Sequence, residues 1–93
     1  MVVGLCTVEL YLPDGHSLKA KRQVLSSLKT RLRNQLNISV AEVGDQDLWQ
    51  KAVLGIACVA NETGRVNQVL DQALNAIRAN PSLELLQSKI EML

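Results

Sequence analysis

The chain has 93 residues, a formal net charge of +1, 47% hydrophobic and 20% charged residues, which excludes a disordered tail or a low-complexity linker. This length fits one domain, residues 1–93, with a core thin enough that self-association, as a dimer first, is an expected extra source of stability. No apolar run of about 18 residues occurs and residues 1–5 lack the basic start of a signal peptide, so the expected location is the cytoplasm, without a membrane partner.

Residues 2–12, VVGLCTVELYL, are rich in β-branched side chains and end at Pro13-Asp14-Gly15, which predicts a strand closed by a turn. From Ser17, the expected N-cap, the period becomes helical. Leu18, Val24, Leu25, Leu28, Leu32 and Leu36 form one stripe, and the helix exits at residues 34–37. Residues 38–44, ISVAEVG, predict a second strand. After the polar tip Asp45-Gln46-Asp47 a third strand runs from about Trp49 to Ala60, giving a hairpin. A second helix opens at residues 61–64, carries Val66, Val69, Leu70, Ala73, Leu74 and Ile77, and stops before Asn80-Pro81, because the residue ahead of proline avoids the helical region. Residues 83–93 have the least distinctive pattern. They are read as a strand because a βαββα order would leave a sheet edge bare.

The resulting order is βαββαβ, an α+β, ferredoxin-like arrangement. It has a four-stranded antiparallel sheet with two helices on one face and the first and third strands central. In the third strand Val53, Ala57 and Val59 point opposite to Leu54, Ile56 and Cys58, so both faces are apolar. A sheet with two apolar faces needs a cover on the bare one, and a homo-oligomer packed through the sheet or its edge is expected.

Cys6 and Cys58 lie in apolar runs, outside any CxxC and away from the lone His16, so they read as buried, inert thiols; no metal and no cofactor are expected. A cross-strand bond between them requires neighbouring strands, and a reducing cytosol opposes it.

The net charge of +1 conceals a segregation of charge. Between His16 and Gln35 stand Lys19, Lys21, Arg22, Lys29, Arg31 and Arg33 with no acid, while the rest of the chain holds four basic residues and nine acids. At 100° per residue, Lys19, Arg22, Lys29 and Arg33 fall within roughly 80°, beside the apolar stripe, with Ser26 and Thr30 in or next to that arc. Lys19, Lys21 and Arg22 occupy the opening turns, where the helix dipole disfavours each cation by about 0.3 to 1 kcal/mol. A broken local rule of this kind points to an anionic partner. The turn at residues 14–17 would add backbone N–H groups, the Ser17 hydroxyl and the His16 imidazole. The alternative is a solvated face whose cations pair with acids elsewhere in the chain.

A nucleic acid partner would have to be read through backbone and shape. The only aromatic residues are Tyr11 and Trp49, so a strand-borne stacking platform is missing, and no GxxG loop exists. The chain also lacks GxSxG, P-loop, dinucleotide and HExxH patterns, so catalysis has little to work with. Glu42, Asp45 and Asp47 read as turn-solvating acids. Trp49 reads as an anchor packing the end of the sheet, or, with Tyr11, as an interface candidate. Asn67, Gln68, Asp71, Gln72 and Asn75 read as the outer face of the second helix.

Residues 16–61 carry H-S-L-K-x-K-R at 16–22, N-x-S-V-A-E-V at 37–43 and D-x-W-Q at 47–50. With these three motifs in order, the chain resembles the bacterial YlxP-like family, a domain-of-unknown-function family, over essentially its whole length. The resemblance implies a ferredoxin-like fold and no established activity. Its members are often encoded near translation initiation and ribosome maturation genes, which associates the family with RNA or ribosomes without giving a mechanism. Leu36 departs from the aromatic residue expected there, which affects packing at the helix exit only.

The first expectation is a non-catalytic, oligomeric module that binds structured RNA or a ribosomal particle through His16, Ser17, Lys19, Lys21, Arg22, Lys29 and Arg33. The alternative is a protein-interaction or small-anion-sensing module using the open sheet face and the 14–17 turn. A small phosphatase using the same turn is the third reading, and the turn lacks the arginine it would need.

Overall fold

The computed structural model describes residues 1–14 and 16–93 of the chain. Its elements run β1 (Val2–Tyr11), α1 (Leu18–Gln35), β2 (Ser39–Gly44), β3 (Lys51–Ala60), α2 (Thr63–Arg78) and β4 (Glu84–Met92). The strands form one antiparallel sheet in the order β2-β3-β1-β4, with both helices on one face: the ferredoxin-like α+β arrangement. Gly15, of the 14–17 segment expected to help bind an anion, lies outside the described residues. No helix among the described residues is long and apolar enough to cross a membrane.

Ser17 starts α1 from an extended conformation, its Oγ accepting the Ala20 N–H at 3.1 Å, and the Leu36 N–H closes the last turn on Leu32 O. One stripe of α1, Leu25, Leu28 and Leu32, meets the sheet residues Cys6, Val8, Leu10, Leu54 and Ile56 and the α2 stripe Val66, Leu70, Ala73 and Ile77, all buried. Alternation puts Val3, Leu5, Val53, Ala57 and Val59 on the opposite face, where no element covers them; Val59 is 47% exposed. The central strand β3 is thus apolar on both sides, as the sequence pattern predicts, while β1 carries the exposed Thr7 and Glu9 on the open face.

Cys6 and Cys58 sit on neighbouring strands, but Cys6 pairs with Ile56 and Cys58 with Gly4, two residues out of step, and both thiols are free and buried. Burial pushes the Cys6 thiol above its ordinary value, and the Asp71 carboxylate adds to the rise. Only the thiolate attacks alkylating reagents. Folded protein at pH 8 should therefore leave Cys6 unmodified by iodoacetamide for hours, and the same reagent should label it within minutes in 6 M guanidinium. Mass spectrometry showing fast native labelling of Cys6 would contradict this.

Two irregularities shape the sheet edges. In β2 the register shifts between Glu42 and Gly44, so Val43 is an extra, outward residue, while Glu42 keeps the helix-facing side opposite Leu54. In β4 a similar shift leaves Leu86 unpaired and the residues beyond it regular.

Candidate nucleic-acid interface

On α1 the buried stripe runs through Lys21, Leu25, Leu28 and Leu32, four residues spaced as one helical face. Everything directed away from that stripe is polar. Lys19, Arg22, Gln23, Ser26, Ser27, Thr30, Arg31, Asn34 and Gln35 together line a shallow surface trough formed by this helix alone. Lys19, Arg22 and Arg31 are exposed and Lys29 is half-buried. Arg33 turns toward the sheet, where its Nη2 donates to Val40 O on the edge strand β2 at 2.7 Å. Arg31 therefore belongs with the exposed cations, although the sequence-derived set omits it.

Among the described residues the ion pairs are Lys21–Glu42 and Lys89–Glu91. Lys19, Arg22, Lys29, Arg31 and Arg33 thus have no carboxylate partner, and the alternative of a self-neutralised ridge holds only for Lys21.

Lys21 is the main correction to the expected binding set. It is 1% exposed, and its Nζ donates to Asp45 O at 2.6 Å and Leu48 O at 2.7 Å while facing Glu42 Oε2 at 3.1 Å. The ammonium exchanges its water for two carbonyls and a carboxylate, a substitution that offsets the several kcal/mol cost of burying a charge. It cannot also contact a phosphate. Asp45 makes this geometry available through a left-handed backbone, φ 57°, which Asp tolerates better than most residues; its carbonyl also accepts the Leu48 N–H. The signal was present in the sequence: Lys21 stands four, seven and eleven residues before Leu25, Leu28 and Leu32, which places it in the apolar stripe.

Ser17 is the expected N-cap, and its hydroxyl oxygen accepts the N–H of Ala20, a donor an anion at the helix start would also use. His16 is exposed beside it. Of the two readings of Trp49, the packed anchor does not fit: it is 54% exposed, and it lines a surface trough with Tyr11, Asp47, Leu48, Gln50 and Lys51. The two interface candidates are therefore brought together. Because Lys21 holds Leu48 O, the loop bearing Trp49 is fastened to the first turns of α1, and the aromatic trough adjoins the start of the basic helix.

Among the described residues no group of three or more His, Cys, Asp or Glu side chains is placed to hold a metal ion. The geometry is that of a small α+β domain presenting one basic helix and one uncovered sheet face. The chain belongs to the DUF503 family, described as proteins of unknown function, whose model matches residues 3–90. It is 36% identical over 83 residues to the "Uncharacterized protein YlxP" of Bacillus subtilis (strain 168), covering 89% of this chain and 90% of that protein. Among solved structures it is similar to the de novo designed protein Foldit4, with a TM-score of 0.56 and 7% identity over 100% of this chain and 97% of the other. That likeness concerns the fold alone. A weaker one, TM-score 0.48 and 11% identity over 98% of this chain and 55% of the other, is to a REP-associated tyrosine transposase bound to a REP hairpin.

Proposed function

We propose that this protein is a non-catalytic cytoplasmic module that binds structured RNA or a ribosomal particle, laying the outer face of α1 along phosphates. The observation that supports this reading is the set Lys19, Arg22, Lys29 and Arg31, carried on one helix with no acid in its first turn and no carboxylate within ion-pair reach. Uncompensated cations next to a helix start cost stability; the phosphates of a polyanion offset that cost, and release of the polyanion's counterions favours binding. Arg33 contributes charge at the rim while holding β2. Lys21 acts as a positioning residue, fixing the loop of Leu48 and Trp49 alongside the helix. An anion at the helix start would find the Ala20 N–H already taken by the Ser17 Oγ.

The test is a salt titration of binding to a mixed-sequence RNA hairpin and, separately, to purified bacterial ribosomal subunits. The logarithm of the affinity should fall steeply with the logarithm of salt concentration. Lys19→Ala with Arg22→Ala should flatten that slope by about two units, about one for each phosphate no longer neutralised. Arg65→Ala with Arg78→Ala, on α2, should leave it unchanged. No binding to either probe, or binding that is independent of salt, would overturn the proposal.

A further inference from the structure

The unprotected part of the fold is the free edge of β4. The Leu93 N–H donates to Val3 O at 2.9 Å, and Met92, Glu91, Ile90, Lys89 and Ser88 pair in turn with residues 4–8 of β1. Antiparallel pairing alternates, so residues 93, 91, 89 and 87 spend their backbone groups on β1. Ser88, Ile90 and Met92 direct theirs outward. The other edge is blunted: β2 has six residues, a bulge, and the Arg33 guanidinium on Val40 O. Beyond Leu86, β4 has neither bulge nor proline, and Leu86, Ile90 and Met92 expose apolar side chains along it. Edge strands of this kind are templates for another strand.

We infer that the β4 edge pairs with the β4 edge of a second copy of this chain, antiparallel and centred on Ile90. The charges select that occupant and that register. Lys89 and Glu91 lie on the open face of the sheet, on either side of Ile90, and both are well exposed. A two-fold axis through Ile90 sets Lys89 of each copy opposite Glu91 of the other, twice by symmetry, and Ile90 against Ile90. It also sets Ser88 opposite Met92, so the outward backbone groups of all three residues find partners. A centre on Lys89 would place Lys89 opposite itself, and a centre on Glu91 would do the same to Glu91. A centre on Ser88 would place Lys89 opposite Gln87 and form no ion pair. In the Ile90 register the two sheets become one continuous sheet. Helix α1, which packs over the β2 side, lies at the far ends of the pair, so the dimer leaves both basic helices open. This inference is independent of the RNA reading.

The test uses the full chain in sedimentation equilibrium at low salt. Wild type should weigh twice 10.2 kDa. Lys89→Glu alone and Glu91→Lys alone each turn both cross-strand pairs repulsive and should weaken dimerisation roughly tenfold or more. The double swap should restore it, and an equimolar mixture of the two single variants should form the mixed dimer in preference to either parent dimer. Circular dichroism identical to wild type shows that each variant folds. A monomeric wild type at 100 micromolar overturns the inference. So does a dimer insensitive to both single reversals, which would mean packing through the open sheet face, and so does a double swap that fails to re-associate.

Discussion

Replacing Lys21 with alanine should lower the unfolding free energy by about 3 kcal/mol. Removing one partner of a buried charge pair costs about 3 to 5 kcal/mol because the other partner stays behind uncompensated. Glu42 Oε2 is buried with no hydrogen-bond donor and would lose the cation that faces it, and the carbonyls of Asp45 and Leu48 would lose their donor; the 20% exposure of the rest of the Glu42 side chain keeps the loss at the lower end. The cavity left by the buried stem adds to the loss. Glu42→Gln should cost less, since Lys21 keeps both carbonyls. Lys19→Ala, two residues away on the solvent side of the helix, should stay within about 0.5 kcal/mol. Urea unfolding with an unchanged slope measures all three. Trp49 is the only tryptophan, so its fluorescence anisotropy in Lys21→Ala reports the loop directly and should fall as the loop comes free of α1. Equal stability of Lys21→Ala and wild type would show that the network contributes nothing.

Gly4→Val should destabilise the fold by about 1 to 3 kcal/mol, the range for forcing extra atoms into a filled core. Propensity alone predicts the opposite, because valine favours strands and glycine weakens them. The helix-facing side of β1 decides the sign. A Cβ on Gly4 would overlap the Val66 side chain and stand 3.1 Å from Leu70 Cδ1 and 3.3 Å from Met92 Sδ. Val66 and Leu70 are fully buried, and a β-branched residue in a helix has essentially one rotamer, so Val66 cannot retreat without moving α2. Gly64→Ala provides the control. Nothing lies within 4 Å of its Cβ position in the first turn of α2, and the substitution should stabilise by up to about 1 kcal/mol. A thermal melt of Gly4→Val at or above the wild-type midpoint would refute the close-packing argument.

The elements were legible because their signals are local. The 2–12 run, the Ser17 cap, the stripe at residues 24, 25, 28, 32 and 36 and the Asn80-Pro81 stop each act within a few residues, and the observed boundaries fall within two residues of those expected. The β4 strand was legible for a different reason, since its weak pattern was outweighed by the need to cover β1. The candidate site was only partly legible. Charge segregation found Lys19, Arg22 and Lys29, but counting cations along the chain placed Lys21 among the phosphate-binding residues. Its spacing to Leu25, Leu28 and Leu32 would have set it apart.

By itself, then, the sequence determined the order of elements, the two apolar faces of β3 and the concentration of cations on one helix, because periodicity, capping and composition are properties of neighbouring residues. Only the tertiary structure decided which cations remain free. Lys21 is neutralised by partners 21 to 27 residues away, brought within 3.1 Å by the β2–β3 hairpin, and Arg33 is drawn to a carbonyl of β2. It also decided that Trp49 stands in solvent, because exposure depends on which elements become neighbours, and no local pattern encodes that.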